Sequence, residues 1–137
     1  MNTKAKGSKG ERELVKAFNE AGWVCIRTAG SGSSRYPAPD LLAGNAIRRV
    51  AIECKVIGAD RKYFPPAEIE QLQFFARTFG AESWIGIHFP KEPWYFVMLE
   101  DLEKTQTNWA ISKEIAKRRG VTFEELVGKT EVLPSRE

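Results

Sequence analysis

Long apolar runs are missing from this 137-residue sequence, and no hydrophobic stretch follows the polar, basic start at residues 1–10. A membrane-spanning helix needs roughly eighteen or more consecutive apolar residues, so neither a span nor a secretory leader is expected, and the chain reads as a soluble protein of the cytoplasm. Cysteine is scarce. Cys25 and Cys54 have no metal-ligand spacing and fall inside apolar segments, which points to reduced, buried thiols and away from zinc or a disulfide framework. Histidine occurs once, as His88 in the apolar run Trp84-Ile85-Gly86-Ile87-His88-Phe89, where a structural role is expected. Internal repeats, low-complexity tracts and linkers are also lacking. The length suits one domain over residues 1–137 with a single core.

Charge is present and unevenly spread. Residues 1–62 carry twelve Lys/Arg against six Asp/Glu, whereas residues 63–137 carry nine against twelve, so balances of +6 and −3 make up the overall +3. A polyanion pressed on the N-terminal half would be held by phosphate neutralisation and counterion release.

The periodicities place the elements. Ser8 and Glu11 read as a capping box opening a helix that carries Leu14, Ala17, Phe18 and Ala21 and stops at Gly22. A short strand is expected over residues 23–27, then a Gly/Ser/Pro-rich loop. Two strands, residues 40–43 and 48–56, form a hairpin about a turn at residues 44–47. A helix over residues 66–79 turns Ile69, Leu72, Phe75, Ala76 and Phe79 inward, and two strands follow at residues 84–89 and 94–99. Trp84, Trp94, Tyr95 and Phe96 in these strands suit core or dimer packing better than base stacking. A helical tail is expected from about residue 105: one helix from residue 108 or 109 to Arg119, with Lys117, Arg118 and Arg119 at its end, and a last helix capped by Thr122 and Glu125. The sum is an α/β fold, a central mixed sheet of about five strands flanked by helices.

The strand Val50-Ala51-Ile52-Glu53-Cys54-Lys55-Val56 alternates, so Glu53 and Lys55 share a face opposite Val50, Ile52 and Cys54. Asp40 precedes Glu53 by thirteen residues, and a hairpin centred between Ala46 and Ile47 sets the two carboxylates side by side. They would repel unless a divalent cation lay between them. Mg²⁺ takes hard oxygen ligands at about 2.0–2.1 Å, often one or two carboxylates plus substrate phosphate, and Mn²⁺ can substitute. Lys55 would orient the attacking water and offset charge developing on the phosphate. Glu11 fits two roles, a solvated capping residue or a third metal carboxylate on the core-facing stripe. Arg27 could reach the same phosphate with its fork. A metal-dependent nuclease is the expected activity; the alternative from residues alone is a solvated charged strand face.

Pro39-Asp40 with Glu53-Cys54-Lys55 resembles the PD-(D/E)xK signature of restriction-endonuclease-like nucleases. Together with Lys6-Gly7-Ser8, Glu11-Arg12-Glu13-Leu14, Gly22-Trp23-Val24, Arg27, Ser31-Gly32-Ser33, Pro39-Asp40-Leu41 and Ala43-Gly44-Asn45, it is similar to the archaeal-type Holliday junction resolvases over roughly the first sixty residues. The resemblance implies a restriction-endonuclease-like core and a homodimer that cuts two opposed strands of a four-way DNA junction by metal-assisted hydrolysis. It implies metal carboxylates at Glu11, Asp40 and Glu53, the catalytic lysine at Lys55, an essential arginine at Arg27 and a loop serine at Ser31. Lys6, Lys9, Arg12, Arg27, Ser31, Ser33 and Arg35 are the residues expected against DNA. The rival readings are a nuclease of this fold acting on other DNA and a non-catalytic DNA-binding module.

Overall fold

The computed structural model describes residues 3–28 and 36–128. Helix α1, Thr3–Glu20, leads into strands β1, Val24–Arg27, β2, Leu41–Gly44, and β3, Arg49–Val56. Strand β4, Arg61–Phe64, and helix α2, Pro66–Phe79, connect these to β5, Glu82–His88, and β6, Trp94–Met98. A short 3-10 turn, Leu99–Asp101, precedes β7, Glu103–Lys104, β8, Trp109–Ser112, α3, Lys113–Arg119, and α4, Phe123–Leu126. The five-stranded sheet runs β1-β2-β3-β5-β6, antiparallel throughout except where β3 and β5 run parallel. This is the expected mixed sheet with flanking helices.

Alternation along the strands divides the core in two. On one face Leu14 and Phe18 of α1 and Leu126 of α4 bury Cys25, Leu41, Ala43, Val50, Ile52 and Cys54. On the other, Ile69, Leu72 and Ala76 of α2 bury Ala51, Ile85, Ile87 and Val97. Trp84 and Phe96 are core residues, Trp94 and Tyr95 are half-buried beside them, and the His88 ring lies 5.1 Å from Trp94, so their expected packing roles hold. Both cysteines are free and buried.

Three local expectations need correction. The first helix begins at Thr3, so Ser8 sits inside it and caps nothing; the Lys/Ala-containing segment before it favours helix despite Gly7. Gly10 has its own reason to be there, since a Cβ would lie 2.8 Å from Trp94 Cζ2. The segment expected to form one helix to Arg119 instead starts as β8, because Trp109, Ala110 and Ile111 pair between β4 and β7 and bury Ala110 and Ile111. Ser112 then caps α3, its side chain accepting from the Ile115 N–H. Strand β4 is not marked in the sequence, because residues 61–64 open with two charged side chains and bury only Phe64, and their strand geometry comes from pairing with β8. The last helix has its Thr122–Glu125 capping box, and Lys117, Arg118 and Arg119 end α3 as expected.

Candidate active site

The β2–β3 hairpin turns on Asn45, whose Oδ1 accepts from the N–H groups of Ile47 and Arg48 at 2.8 and 2.7 Å. That turn sets the register Leu41↔Ile52, and one step further along it Asp40 comes opposite Glu53. The side-by-side arrangement expected from the spacing is therefore present. Strand β2 begins only at Leu41, and Asp40, just before it, takes the Cys54 N–H of β3 with its Oδ2 at 2.8 Å. The Thr28 N–H in turn donates to the Asp40 carbonyl at 3.0 Å, which ties this corner to the end of β1.

The carboxylates sit half-buried. Burial first, then the Asp40 charge, pushes the Glu53 carboxyl up to about 9. Asp40 is also raised by burial, with the Cys54 hydrogen bond and the Lys55 charge pulling against it. Each is poorly compensated as an anion, and a cation between them would relieve both. Lys55 lies on the same face, its Nζ 3.9 Å from Glu53 Oε2 and 2.6 Å from Glu68 Oε2. Burial acts to lower its ammonium, but the hydrogen bond and charge of Glu68 outweigh that and hold it above the ordinary lysine value.

Glu11 and Arg27 lie on the α1 side of the sheet. Arg27 Nε donates to Glu11 Oε1 at 2.7 Å and Nη2 to Ser8 Oγ at 2.9 Å, so these three residues form one polar contact between β1 and α1. Arg27 pairs with Leu41, the neighbour of Asp40, so this contact lies at the same end of the hairpin as Asp40; burial first, then the Asp40 and Glu11 charges, raise the Cys54 thiol. Among the described residues, no group of three or more His, Cys, Asp or Glu side chains has the geometry to hold an ion alone. Lys9 and Arg12 are exposed on α1, and Lys6 falls within the same helix. Ser31, Ser33 and Arg35 lie outside the described residues.

Glu68 was not singled out from the sequence. It stands four residues before Leu72 and eight before Ala76, on the core-facing stripe of its helix, as Glu11 does three and seven residues before Leu14 and Phe18. With Glu53, Gln71, Leu72 and Pro37, Ala38 and Pro39 it lines a cavity of about 260 Å³.

Known proteins resemble this chain over most of its length. The family model described as archaeal Holliday junction resolvase (Hjc) matches residues 2–133. The crossover junction endodeoxyribonuclease Hjc of Archaeoglobus fulgidus is 39% identical over 133 residues, spanning 92% of this chain and 98% of that protein. Its counterpart in Methanocaldococcus jannaschii is 32% identical over 124 residues, spanning 90% and 88%. A crystal structure of the Archaeoglobus fulgidus Hjc, titled a Holliday junction resolvase from an archaeal hyperthermophile, superposes with a TM-score of 0.82 at 38% identity, covering 88% of this chain and 98% of that one.

Proposed function

This chain belongs to the archaeal Holliday junction resolvase family, and from that premise we propose that it is an endodeoxyribonuclease that resolves four-way DNA junctions by Mg²⁺-dependent phosphodiester hydrolysis, acting as a homodimer. The observation that carries the chemistry is the Asp40–Glu53 pair with Lys55 on the same face. Two adjacent carboxylates whose proton affinity is raised suit a hard divalent cation, and Mg²⁺, which keeps several waters, does not require a third protein ligand. Asp40 and Glu53 would hold it. Glu11 would join them by exchanging or sharing its contact with Arg27. Once bound, the ion would supply an activated water and charge stabilisation at the leaving oxygen; Mn²⁺ fits the same donors.

The chain's own groups supply the rest. Lys55 presents an ammonium beside Glu53, where it orients the attacking water and offsets charge growing on the non-bridging oxygens. The Asp40 carboxylate is held in place by the Cys54 N–H. Arg27, fixed by Glu11 and Ser8, offers a planar fork to a phosphate at the rim. Lys6, Lys9, Arg12 and Arg35, with Ser31 and Ser33, would grip the backbone without reading bases, which selects for the shape of the DNA. Cutting two symmetry-related strands calls for two sites about a two-fold axis, the reason for the dimer.

Incubation with a four-way junction, a flap and a linear duplex in Mg²⁺ tests the reading. The junction should be cut at opposed positions much faster than the others, with no product in EDTA. Equal cleavage of all three substrates would overturn the resolvase assignment, and tight binding without cleavage in Mg²⁺ or Mn²⁺ would leave a DNA-binding module.

A further inference from the structure

A lysine carries its charge on a flexible four-carbon stem, so an ammonium that must meet one phosphate needs something to aim it. Strand β3 alone does not do this. The carboxylate closest to Lys55 Nζ is not its strand neighbour Glu53, at 3.9 Å, but Glu68 of α2, at 2.6 Å. The two side chains are 23% and 24% exposed, which leaves the ammonium partly open to an incoming substrate while its other side is held.

Helix α2 is a firm mount for that carboxylate. Proline at its first position presets the opening turn, and Glu68 lies within that turn, where the positive end of the helix favours a negative charge. The residue after it, Ile69, and the residue four on, Leu72, are both buried against the sheet that carries Glu53 and Lys55. Glu68 also lines the cavity beside Glu53, so the contact stands at the wall of the site.

We propose that Glu68 is a positioning residue for the cleavage reaction: from α2 it fixes the Lys55 ammonium beside Glu53 and thereby sets where the lysine meets the scissile phosphate. The inference rests on the nuclease reading given above. It makes α2 part of the catalytic apparatus although the helix contributes no reacting group. A partly exposed ion pair adds little to stability, so loss of Glu68 should leave the fold and the grip on DNA standing and disturb only the aim of Lys55.

Single-turnover cleavage of a four-way junction in Mg²⁺, alongside junction affinity in EDTA, tests this on the full chain. E68A, and E68M, which keeps the bulk but removes the acceptor, should slow cleavage about 10- to 100-fold, the range for loss of a group that orients a reacting one. Affinity should change by no more than about twofold, a loss in the reaction step and not in binding. E68Q, whose amide oxygen still accepts from Nζ, should recover most of the rate. In a K55A background E68A should add no further loss, because its effect runs through the lysine. Cleavage by both E68A and E68M at the wild-type rate, or a double variant in which the two losses multiply, would overturn the proposal. A wild-type protein that cuts no junction would sink the nuclease reading and this inference together; a wild type that cuts beside unaffected Glu68 variants sinks the inference alone.

Discussion

Asp40 and Glu53 face each other across a hairpin pair in a half-buried setting, where two negative charges are costly, and both carboxyls are shifted towards the protonated form. Replacing one by a neutral amide of the same shape removes that repulsion and half of the proposed ion site. Asp40→Asn should therefore cut junction cleavage by on the order of 10²–10³-fold, the range for loss of one preorganised electrostatic group, while leaving junction affinity in EDTA unchanged. Its melting temperature should rise less with added Mg²⁺ than that of the wild type, because an ion that binds only the folded state stabilises by about 2.7 kcal/mol at a hundredfold excess over its Kd. Equal Mg²⁺-induced shifts in calorimetry would remove Asp40 from the metal site. The Arg27–Glu11–Ser8 contact shows why single residues resist interpretation from sequence: Arg27 and Glu11 suit a catalytic site, yet in the structure each is the other's partner.

At the scale of elements, helix packing decides two outcomes. Helix α1 passes so close to β6 that Gly10 has no room for a side chain against Trp94. Gly10→Leu should cost about 1–3 kcal/mol through overpacking, read as a lowered urea midpoint; an unchanged midpoint would mean that the Trp94 ring yields freely. The start of β5 is clamped to the β2–β3 turn, where Arg48 Nε and Nη2 bond Glu82 at 2.8 Å each and Trp84 Nε1 donates to it at 2.9 Å. Hydrogen bonding from Arg48 holds the Glu82 carboxyl below its ordinary value. A carboxyl depressed in the folded state stabilises at pH values above its unfolded pKa, and that contribution disappears as the pH falls through the folded one. The stability gap between wild type and Glu82→Gln should thus be present at neutral pH and close on acidification, as measured by urea unfolding at a series of pH values. The pair is surface-exposed, so the gap is small and a constant gap across the series would argue against linkage.

At the scale of the whole molecule, two opposed cuts need two sites, and the proposed two-fold dimer makes the sites separable. Dimers exchanged between wild-type and Asp40→Asn chains should nick one strand of a plasmid-borne four-way junction and leave the circle open. Wild-type dimers should cut both strands and give linear product. Agarose electrophoresis distinguishes the two, and linear product from purified mixed dimers at the wild-type rate would show that one site makes both cuts. The uneven charge of the chain, positive over residues 1–62, lies in the same half as Glu11, Asp40, Glu53 and Lys55. Binding should accordingly weaken steeply as salt rises.

Much of this was already determined by the order of residues. A period-two strand with Glu53 and Lys55 on one face, and Asp40 thirteen positions earlier about an Asn-led turn, settle the hairpin register and so the juxtaposition of the two carboxylates. Local patterns also carry α2, which buries Ile69, Leu72 and Ala76 at helical spacing although Phe79, expected inward, is 50% exposed at its end, and β5, β6 and the last helix, read from short apolar runs and a capping box. Strands β4 and β8 were not legible, since β4 takes its strand geometry from β8, far along the chain, and neither has a pattern that excludes loop or helix. The same limit hid Glu68. Its spacing marks a core-facing position, but only the docking of α2 on the sheet brings it to Lys55, because that contact depends on where a helix lands and not on what its own residues prefer.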